Sequence, residues 1–261
     1  MMVKIESLQN ESVKHARKLA DSASFRRAEN AFFLEGLRLC CDAAETGISV
    51  KQCFVTQQAL DKEEARLASL LSAAGQFFLV SSSVAQKLSQ TQSPQGVFCV
   101  CEMPQRQAAL QPGGVYVALD HIQDPANLGA IIRTAEALGI DGAVLCGCCD
   151  VYNPKAQRAA MGSLLRLPLI ATDDLPTFLL EQQSKNGFRL LATTPDAGAQ
   201  KLTTLDLSGG VIAVIGNEGN GVTQEVLSIC ERVTIPMGGR AESLNASMAA
   251  AITMWELVRK R

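Results

Sequence analysis

The chain has 261 residues, 47% apolar and 19% charged, enough for one large or two ordinary domains that each bury a core. A net charge of −2 excludes a protein that coats nucleic acid through its whole surface, so any such contact has to be local. No apolar run approaches the roughly 18 residues that cross a bilayer, and the polar stretch from Lys4 to Lys18 is no secretory signal, so the expectation is a cytoplasmic protein without a membrane anchor.

In chain order, residues 3–30 read as helix, with Val13, Ala16 and Leu19 on one face and Ser12 placed to cap it. This stretch opens the main cationic run: Lys14, His15, Arg17 and Lys18, then Arg26, Arg27 and Arg38, diluted by Glu11, Asp21, Glu29 and Glu35. Two readings of it stay open, an RNA-contacting surface and an ordinary solvated helix face. Phe32–Gly36 reads as a short strand and Leu37–Thr46 as a helix closed by Gly47. Val50–Thr56 follows as a strand, Gln58–Ala74 as a helix ending at Gly75, and Phe77–Val80 as a strand; after a polar Ser/Gln/Thr stretch comes the strand Gly96–Val100. Together these elements predict a small α/β domain over residues 1–103.

Residues 104–113 combine Pro, Gln, Ala and Gly with little periodicity and fit a linker. Composition then changes. Val115–Leu119, Gly142–Leu145, Arg189–Thr193, Gly210–Ile215 and Arg232–Ile235 are short apolar runs separated by helix-like segments, which predicts a parallel sheet covered on both faces over residues 114–261. The nine cysteines are odd in number and crowded at Cys40-Cys41 and at Cys146, Cys148 and Cys149, a pattern of reduced thiols rather than of a disulfide framework. Cys146-x-Cys148-Cys149 has no second ligand pair nearby, so no metal is expected and small buried apolar residues are the simpler reading.

Three loops in the second domain each follow a strand and lead into a helix, the place where open α/β sheets bind ligands. In the first, Asp124-Pro125 and Asn127 precede a helix from Leu128 to Leu138 that ends at Gly139 and carries Arg133. A guanidinium there suits an RNA phosphate or a ribose hydroxyl, and it equally suits a surface ion pair with Glu136. The second, Gly216-Asn217-Glu218-Gly219-Asn220-Gly221, has the wrong glycine spacing for a dinucleotide turn, and the Glu218 carboxylate would repel a pyrophosphate. It suits a ligand without phosphates or a purely structural turn. The third runs through Gly238-Gly239 to Ser243-Leu244-Asn245, where either Ser243 or Asn245 is placed to cap the next helix.

Taken in order, the loops resemble the three motifs of the SpoU/TrmH family of RNA ribose 2′-O-methyltransferases, within the knotted SPOUT superfamily. Asn127 and Arg133 match the first motif, Gly216-x-Glu218-x-x-Gly221 the second, and Ser243-Leu244-Asn245-x-Ser247-x-Ala249 the third. In the N-terminal half, Asn10-x-x-Val13-Lys14 and Phe33-Leu34-Glu35-Gly36-x-Arg38 look like the L30e-like RNA-binding domain joined to many rRNA methyltransferases of this family. Tyr152-Asn153-Pro154-Lys155 with Arg158 looks like the family's segment near the RNA.

The resemblance implies a trefoil-knotted methyltransferase domain that holds S-adenosylmethionine against Thr193, Ile215, Gly216, Ile235, Met237 and Leu244. It further implies a catalytic centre of Arg133, Asn127, Glu218, Ser243 and Asn245, RNA contacts at Lys155 and Arg158 beside the N-terminal run, a homodimer, no metal and a ribosomal RNA substrate. By the same resemblance Arg133 positions the ribose hydroxyl. A non-catalytic RNA-binding or ribosome-assembly protein on the same scaffold is the alternative, opposed by the complete motif set. A nicotinamide oxidoreductase is disfavoured by the glycine spacing and Glu218.

Overall fold

The computed structural model describes residues 3–104, 109–196 and 198–259. Residues 105–108 of the expected linker lie outside the described set. The chain divides into two compact units, Met1–Gln105 with Tyr152–Leu165, and Arg106–Val151 with Arg166–Arg261.

The first unit opens with strand β1 (Val3–Ile5) and helices α1 (Glu11–Asp21) and α2 (Ala23–Glu29). The single helix expected over residues 3–30 is therefore three elements. Val3–Ile5 is extended because it pairs in parallel with Phe78–Val80, a partner no local pattern reveals. Asn10, not Ser12, caps α1 by accepting from the Ser12 N–H at 2.9 Å. Ser22 then leaves helical geometry and caps α2 through the Phe25 N–H. There follow β2 (Ala31–Glu35), α3 (Leu37–Glu45), β3 (Val50–Thr56), α4 (Gln57–Ala73), β4 (Gln76–Val80), α5 (Ser82–Leu88) and β5 (Val97–Glu102). Helix α5 occupies part of the stretch that reads as merely polar, since Ser81 caps it and only Val84, Ala85 and Leu88 reach the core.

The sheet order is β1-β4-β3-β5-β2, with β5 antiparallel to both its neighbours. One face is filled by Val13, Ala16 and Leu19 of α1 against Phe33, Phe54 and Phe98. The terminal strand β2 is covered as well, by a segment from far along the chain that contains α7 (Pro154–Ala160): the Tyr152 ring stacks on Phe32 at 4.3 Å, and Gln157 Nε2 donates to the Phe33 carbonyl at 2.9 Å. That side-chain bond occupies a backbone acceptor on a strand that has only one sheet neighbour. The short helix α8 (Ser163–Arg166) ends this segment.

The second unit contains β6 (Val115–Asp120), α6 (Pro125–Ala137) and β7 (Gly142–Cys146), then β8 (Leu169–Thr172), α9 (Leu175–Asn186), β9 (Arg189–Thr193) and β10 (Gln200–Lys201). The chain continues with β11 (Val211–Gly216), α10 (Gln224–Ile229), β12 (Glu231–Thr234) and α11 (Ala246–Val258). The sheet order is β10-β12-β9-β11-β6-β7-β8, and every pairing is parallel. All six residues of β6 and of β11 are buried, as a sheet covered on both faces requires. Leu110, at the end of the expected linker, packs into this unit's core with Tyr116, Phe188 and Leu190. Strand β11, late in sequence, lies between β9 and β6, so the C-terminal ends of β6 and β11 come side by side, with Gly216 in register with Asp120.

All nine cysteines are free, and burial pushes the thiols of Cys148 and Cys149 up, to about 11 and about 12. Among the described residues no group of three or more His, Cys, Asp or Glu could hold a metal ion, and no helix is long and apolar enough to cross a membrane.

One cation of the N-terminal run has a structural role. Arg26 is 2% exposed, and its guanidinium donates to the carbonyls of Leu19 and Ala20, in the last turn of α1 where carbonyls run out of helical partners. It is not at the surface and cannot meet a phosphate there, contrary to the expectation from sequence. Arg26→Ala should lower stability by about 1.5–3 kcal/mol, the worth of hydrogen bonds to a charged group. Denaturant titration would measure this; a loss of RNA affinity with stability intact would return Arg26 to the RNA surface.

Candidate functional site

The site lies where β6, β9, β11 and β12 end. Gly216 closes β11, and a Cβ there would sit 2.1 Å from the backbone of Gly221 and Val222, so the following loop folds back as only glycine permits. The N–H groups of Asn217 and Gly221 donate to each other's carbonyls at 3.0 Å, and Asn217 Oδ1 accepts from the N–H of Gly219 and Asn220. The Asn217 amide also donates to the His121 carbonyl at 2.7 Å, which pins this loop to the end of β6. The loop is thus a structural turn and, at the same time, a mount for Glu218.

Glu218 points at the start of α6. Its carboxylate accepts from Asn127 Nδ2 at 3.0 Å and from the backbone N–H of Asp124 and Gln123, each at 3.2 Å. Burial, the largest influence, raises its pKa, but the Asn127 amide and the backbone donors outweigh it and hold the carboxyl below the ordinary 4.5. Asn127 Oδ1 in turn accepts from Asn245 Nδ2 at 3.1 Å. Asn245 Oδ1 caps α11, accepting from Ser247 N, Ser247 Oγ and Met248 N at 2.9, 2.6 and 3.3 Å. Of the two capping candidates, Asn245 has the role.

This relay has a direction. The α11 N–H groups can only donate, so the Asn245 oxygen must face them and its amide must donate to Asn127. The Asn127 amide must then donate onward, and the acceptor it meets is a carboxylate. The relay joins three loops that lie far apart in sequence.

A cavity of about 320 Å³ opens beside it. All six residues expected to hold a cofactor, Thr193, Ile215, Gly216, Ile235, Met237 and Leu244, line this one cavity, as do Glu218 and Ser243. Its charged lining is acidic, Glu218 and Glu242, with no lysine or arginine. Such a wall rejects phosphates and suits a ligand with an apolar body and a positive centre.

Arg133 is not brought to this centre. It is exposed on α6, whereas Asn127 is buried, and six helical residues separate them by roughly 9 Å along the axis. It has no ion pair among the described residues; Glu136, its candidate partner, binds Arg166 at 2.9 Å.

The expected RNA-contacting cations all lie in the first unit. Lys14 pairs with Glu11 at 2.9 Å, and Lys18 sits 4.1 Å over the Phe25 ring. Arg17 pairs with Asp21 and donates to the carbonyls of Lys87 and Ser89. Arg27 is exposed, Arg38 reaches Asp42 only at 4.0 Å, and Lys155 and Arg158 are carried on α7.

One group was not expected from sequence. Asp120, 1% exposed, accepts from Thr223 N and Thr223 Oγ1 at 2.8 Å each and meets His121 Nδ1 at 2.7 Å. It ties the end of β6 to the start of α10, 103 residues later. The only hint in the sequence is a carboxylate directly after five apolar strand residues.

Known proteins are similar to this chain over both units. The model of the SpoU rRNA Methylase family matches residues 114–255, and that of the MRM3-like substrate binding domain matches residues 10–99. The 23S rRNA (guanosine(2553)-2′-O)-methyltransferase RlmP of Bacillus subtilis is 33% identical over 258 residues, 98% of this chain and 99% of that protein. The crystal structure of an AdoMet-bound rRNA methyltransferase from Sinorhizobium meliloti superposes with a TM-score of 0.87 at 31% identity, covering 99% of this chain and 98% of that one. The SpoU methyltransferase AviRb of Streptomyces viridochromogenes, in complex with AdoMet, gives 0.86 at 27% identity over 97% and 98% of the two chains.

The lowered pKa of Glu218 makes the loop junction sensitive to acid. Because the folded value is lowered, the contribution of this carboxylate is fully present above the unfolded value and is lost as pH falls through the lowered folded value. The Gln123 and Asp124 amides should stay protected from hydrogen exchange at neutral pH and down through the ordinary carboxylate range, then open in more acid solution. In Glu218→Ala they should already be open at neutral pH. Equal protection in variant and wild type would remove Glu218 from its place at the loop junction.

Proposed function

The chain belongs to the SpoU rRNA methylase family, and on that footing we propose that its C-terminal cavity and the Glu218–Asn127–Asn245 relay form the centre for methylating a ribose of 23S rRNA. The protein is an S-adenosylmethionine-dependent RNA ribose 2′-O-methyltransferase acting on ribosomal RNA. The observation that carries the assignment of the centre is the relay itself, which brings the three motifs together at the edge of a cavity without cations.

The cavity fits the cofactor. Its volume of about 320 Å³ falls in the range of small-ligand sites, and Ile215, Ile235, Met237 and Leu244 offer an apolar wall while Glu218 and Glu242 favour a cation. When bound there, S-adenosylmethionine would supply the methyl group that a ribose 2′-oxygen accepts as the carbon–sulfur bond breaks, the hydroxyl proton being released to solvent. Holding the hydroxyl in line supplies much of the acceleration. Glu218 is engaged by three donors and acidified, so its task is to hold the loops rather than to take the hydroxyl proton. A guanidinium stays charged and does not act as a base, so Arg133, which its own chain holds away from this centre, is a positioning group for the ribose or its phosphate once a second copy of the chain completes the site.

The centre is completed in a homodimer. Met248, Ile252 and Trp255 form an exposed apolar stripe at helical spacing along α11, whose opposite side buries Ala250, Met254 and Leu257. Trp255 is 55% exposed and Met248 54%. A helix apolar on both sides calls for a second cover, here another copy of the chain. Residues 1–103, with the segment 152–165 that packs among them, dock the RNA, the rest of residues 114–261 binds the cofactor and dimerises, and the work is done in the cytoplasm, where ribosomal RNA is found.

The test of the whole reading is transfer of labelled methyl from S-adenosylmethionine to 23S rRNA, followed by mapping of the 2′-O-methylated nucleotide; the absence of any ribose methylation would overturn it. Arg133→Ala should leave cofactor affinity nearly unchanged and slow methyl transfer about 100-fold or more, and Arg133→Lys should rescue little. A near wild-type rate for the alanine variant at saturating RNA would make Arg133 an ordinary surface residue. Met248→Lys with Trp255→Lys should convert the dimer to monomers in sedimentation at micromolar concentration. A dimer that persists in that double variant would move the interface elsewhere.

A further inference from the structure

The first unit has a cavity of about 400 Å³ at the end of its sheet where β2, β3 and β4 hand over to α3, α4 and α5. Three cations line it, Arg38, Lys62 and Arg66, against one carboxylate, Glu63. In a chain of net charge −2 that is a local concentration of positive charge. The cations are weakly engaged. Lys62 has no ion pair or hydrogen bond among the described residues, Arg38 approaches Asp42 only to 4.0 Å, and Arg66, paired with Glu63 at 3.1 Å, remains 60% exposed. Helix α4 departs from helical geometry at Glu63, between the two cations it contributes.

The rim is built and held. Gln95 Oε1 accepts from the Leu37 N–H at 3.0 Å, and the N–H groups of Gly36 and Thr56 donate to the carbonyls of Val97 and Gly96. A Cβ on Gly96 would fall 2.3 Å from Thr56 Oγ1, so the rim closes on that side chain. Glu35 fixes the preceding turn, accepting from Ser89 Oγ, Gln90 N and Thr91 Oγ1. A rim already in place loses little freedom when a ligand arrives. Most cations of α1 and α2 contrast with this, Arg27 being exposed: Arg17 is held by Asp21 and two carbonyls, Arg26 is buried, and Lys14 and Lys18 rest on Glu11 and Phe25.

We propose that this cavity, rather than the α1–α2 run, is the phosphate-docking site through which the first unit holds its RNA, an inference that rests on the reading of the protein as an rRNA methyltransferase. Arg38, Lys62 and Arg66 neutralise backbone phosphates, an interaction that positions the RNA without reading its sequence.

The experiment uses the full chain and an in vitro 23S rRNA transcript. Arg38→Ala, Lys62→Ala and Arg66→Ala combined should weaken RNA binding about 10-fold or more and lower the slope of log affinity against log salt by about two, since each neutralised phosphate contributes roughly 0.7–0.9 to that slope. Affinity for S-adenosylmethionine should be unchanged. Arg38→Lys with Arg66→Lys, which keeps the charge, serves as a second arm that guards against misfolding of the triple variant, and it should retain the wild-type slope. Wild-type affinity and slope in the alanine variant overturn the proposal, as does a weakening confined to Lys14→Ala with Lys18→Ala. Those outcomes leave methylation by the wild-type protein intact, whereas a wild-type protein that methylates no RNA would sink the enzyme reading itself.

Discussion

The catalytic unit depends on one directed run of hydrogen bonds, from the first N–H groups of α11 through Asn245 and Asn127 to Glu218. Each amide in the run has one donating and one accepting end, and the helix start determines which end must face it. The orientation then propagates, so the last member must be an acceptor. A carboxylate suits that position best, because it can also accept from the Gln123 and Asp124 N–H groups at the start of α6, where negative charge is favoured. The start of α11 and the turn that leads into α6 are thereby tied together by one connected set of side chains, while Asp124 itself caps α6 through the Ala126 N–H.

The relay can form only because the sheet is parallel and its strands are out of sequence order. Parallel strands send all their outgoing loops to the same edge, and the insertion of β11 between β9 and β6 sets the Glu218 loop beside the Asn127 loop. This is the kind of position at which open sheets form ligand crevices. Asp120 supports it from within, as a buried carboxylate holding the backbone and hydroxyl of Thr223, so the loop after β11 is anchored at both ends. The low charge of the cavity follows from the same construction: strand ends contribute Ile215 and Ile235, and the only charged groups arrive on loops.

In the first unit, the cations follow a different logic. Where an arginine lies beside carbonyls left over at a helix end, as Arg26 does, its donors go to structure. Around the cavity, Lys62 and Arg38 have few protein acceptors within reach, and Arg66 has the Glu63 pair while remaining exposed. A count of lysines and arginines along α1 therefore overstates what that helix offers to a ligand, and the spacing Arg38, Lys62, Arg66 conceals a cluster that only folding assembles.

Sequence alone determined the elements whose signal is local. The apolar runs became β6, β7, β9, β11 and β12, the Gly139 end of α6 follows from backbone chemistry although the helix starts at Pro125, capped by Asp124, rather than at the expected Leu128, and the Asn127, Glu218 and Asn245 motifs are legible because each sits on its own strand–loop–helix unit. What stayed hidden needed a distant partner. Val3–Ile5 is a strand only against Phe78–Val80, Asp120 is explained only by Thr223, and the segment after β7 is accounted for by β2. The direction of each asparagine amide was likewise decided in three dimensions, since an amide reads the same from either end in a sequence. Local propensity acts within a few residues of the backbone, whereas burial, register and hydrogen-bond direction are properties of surfaces that meet only after the chain has folded.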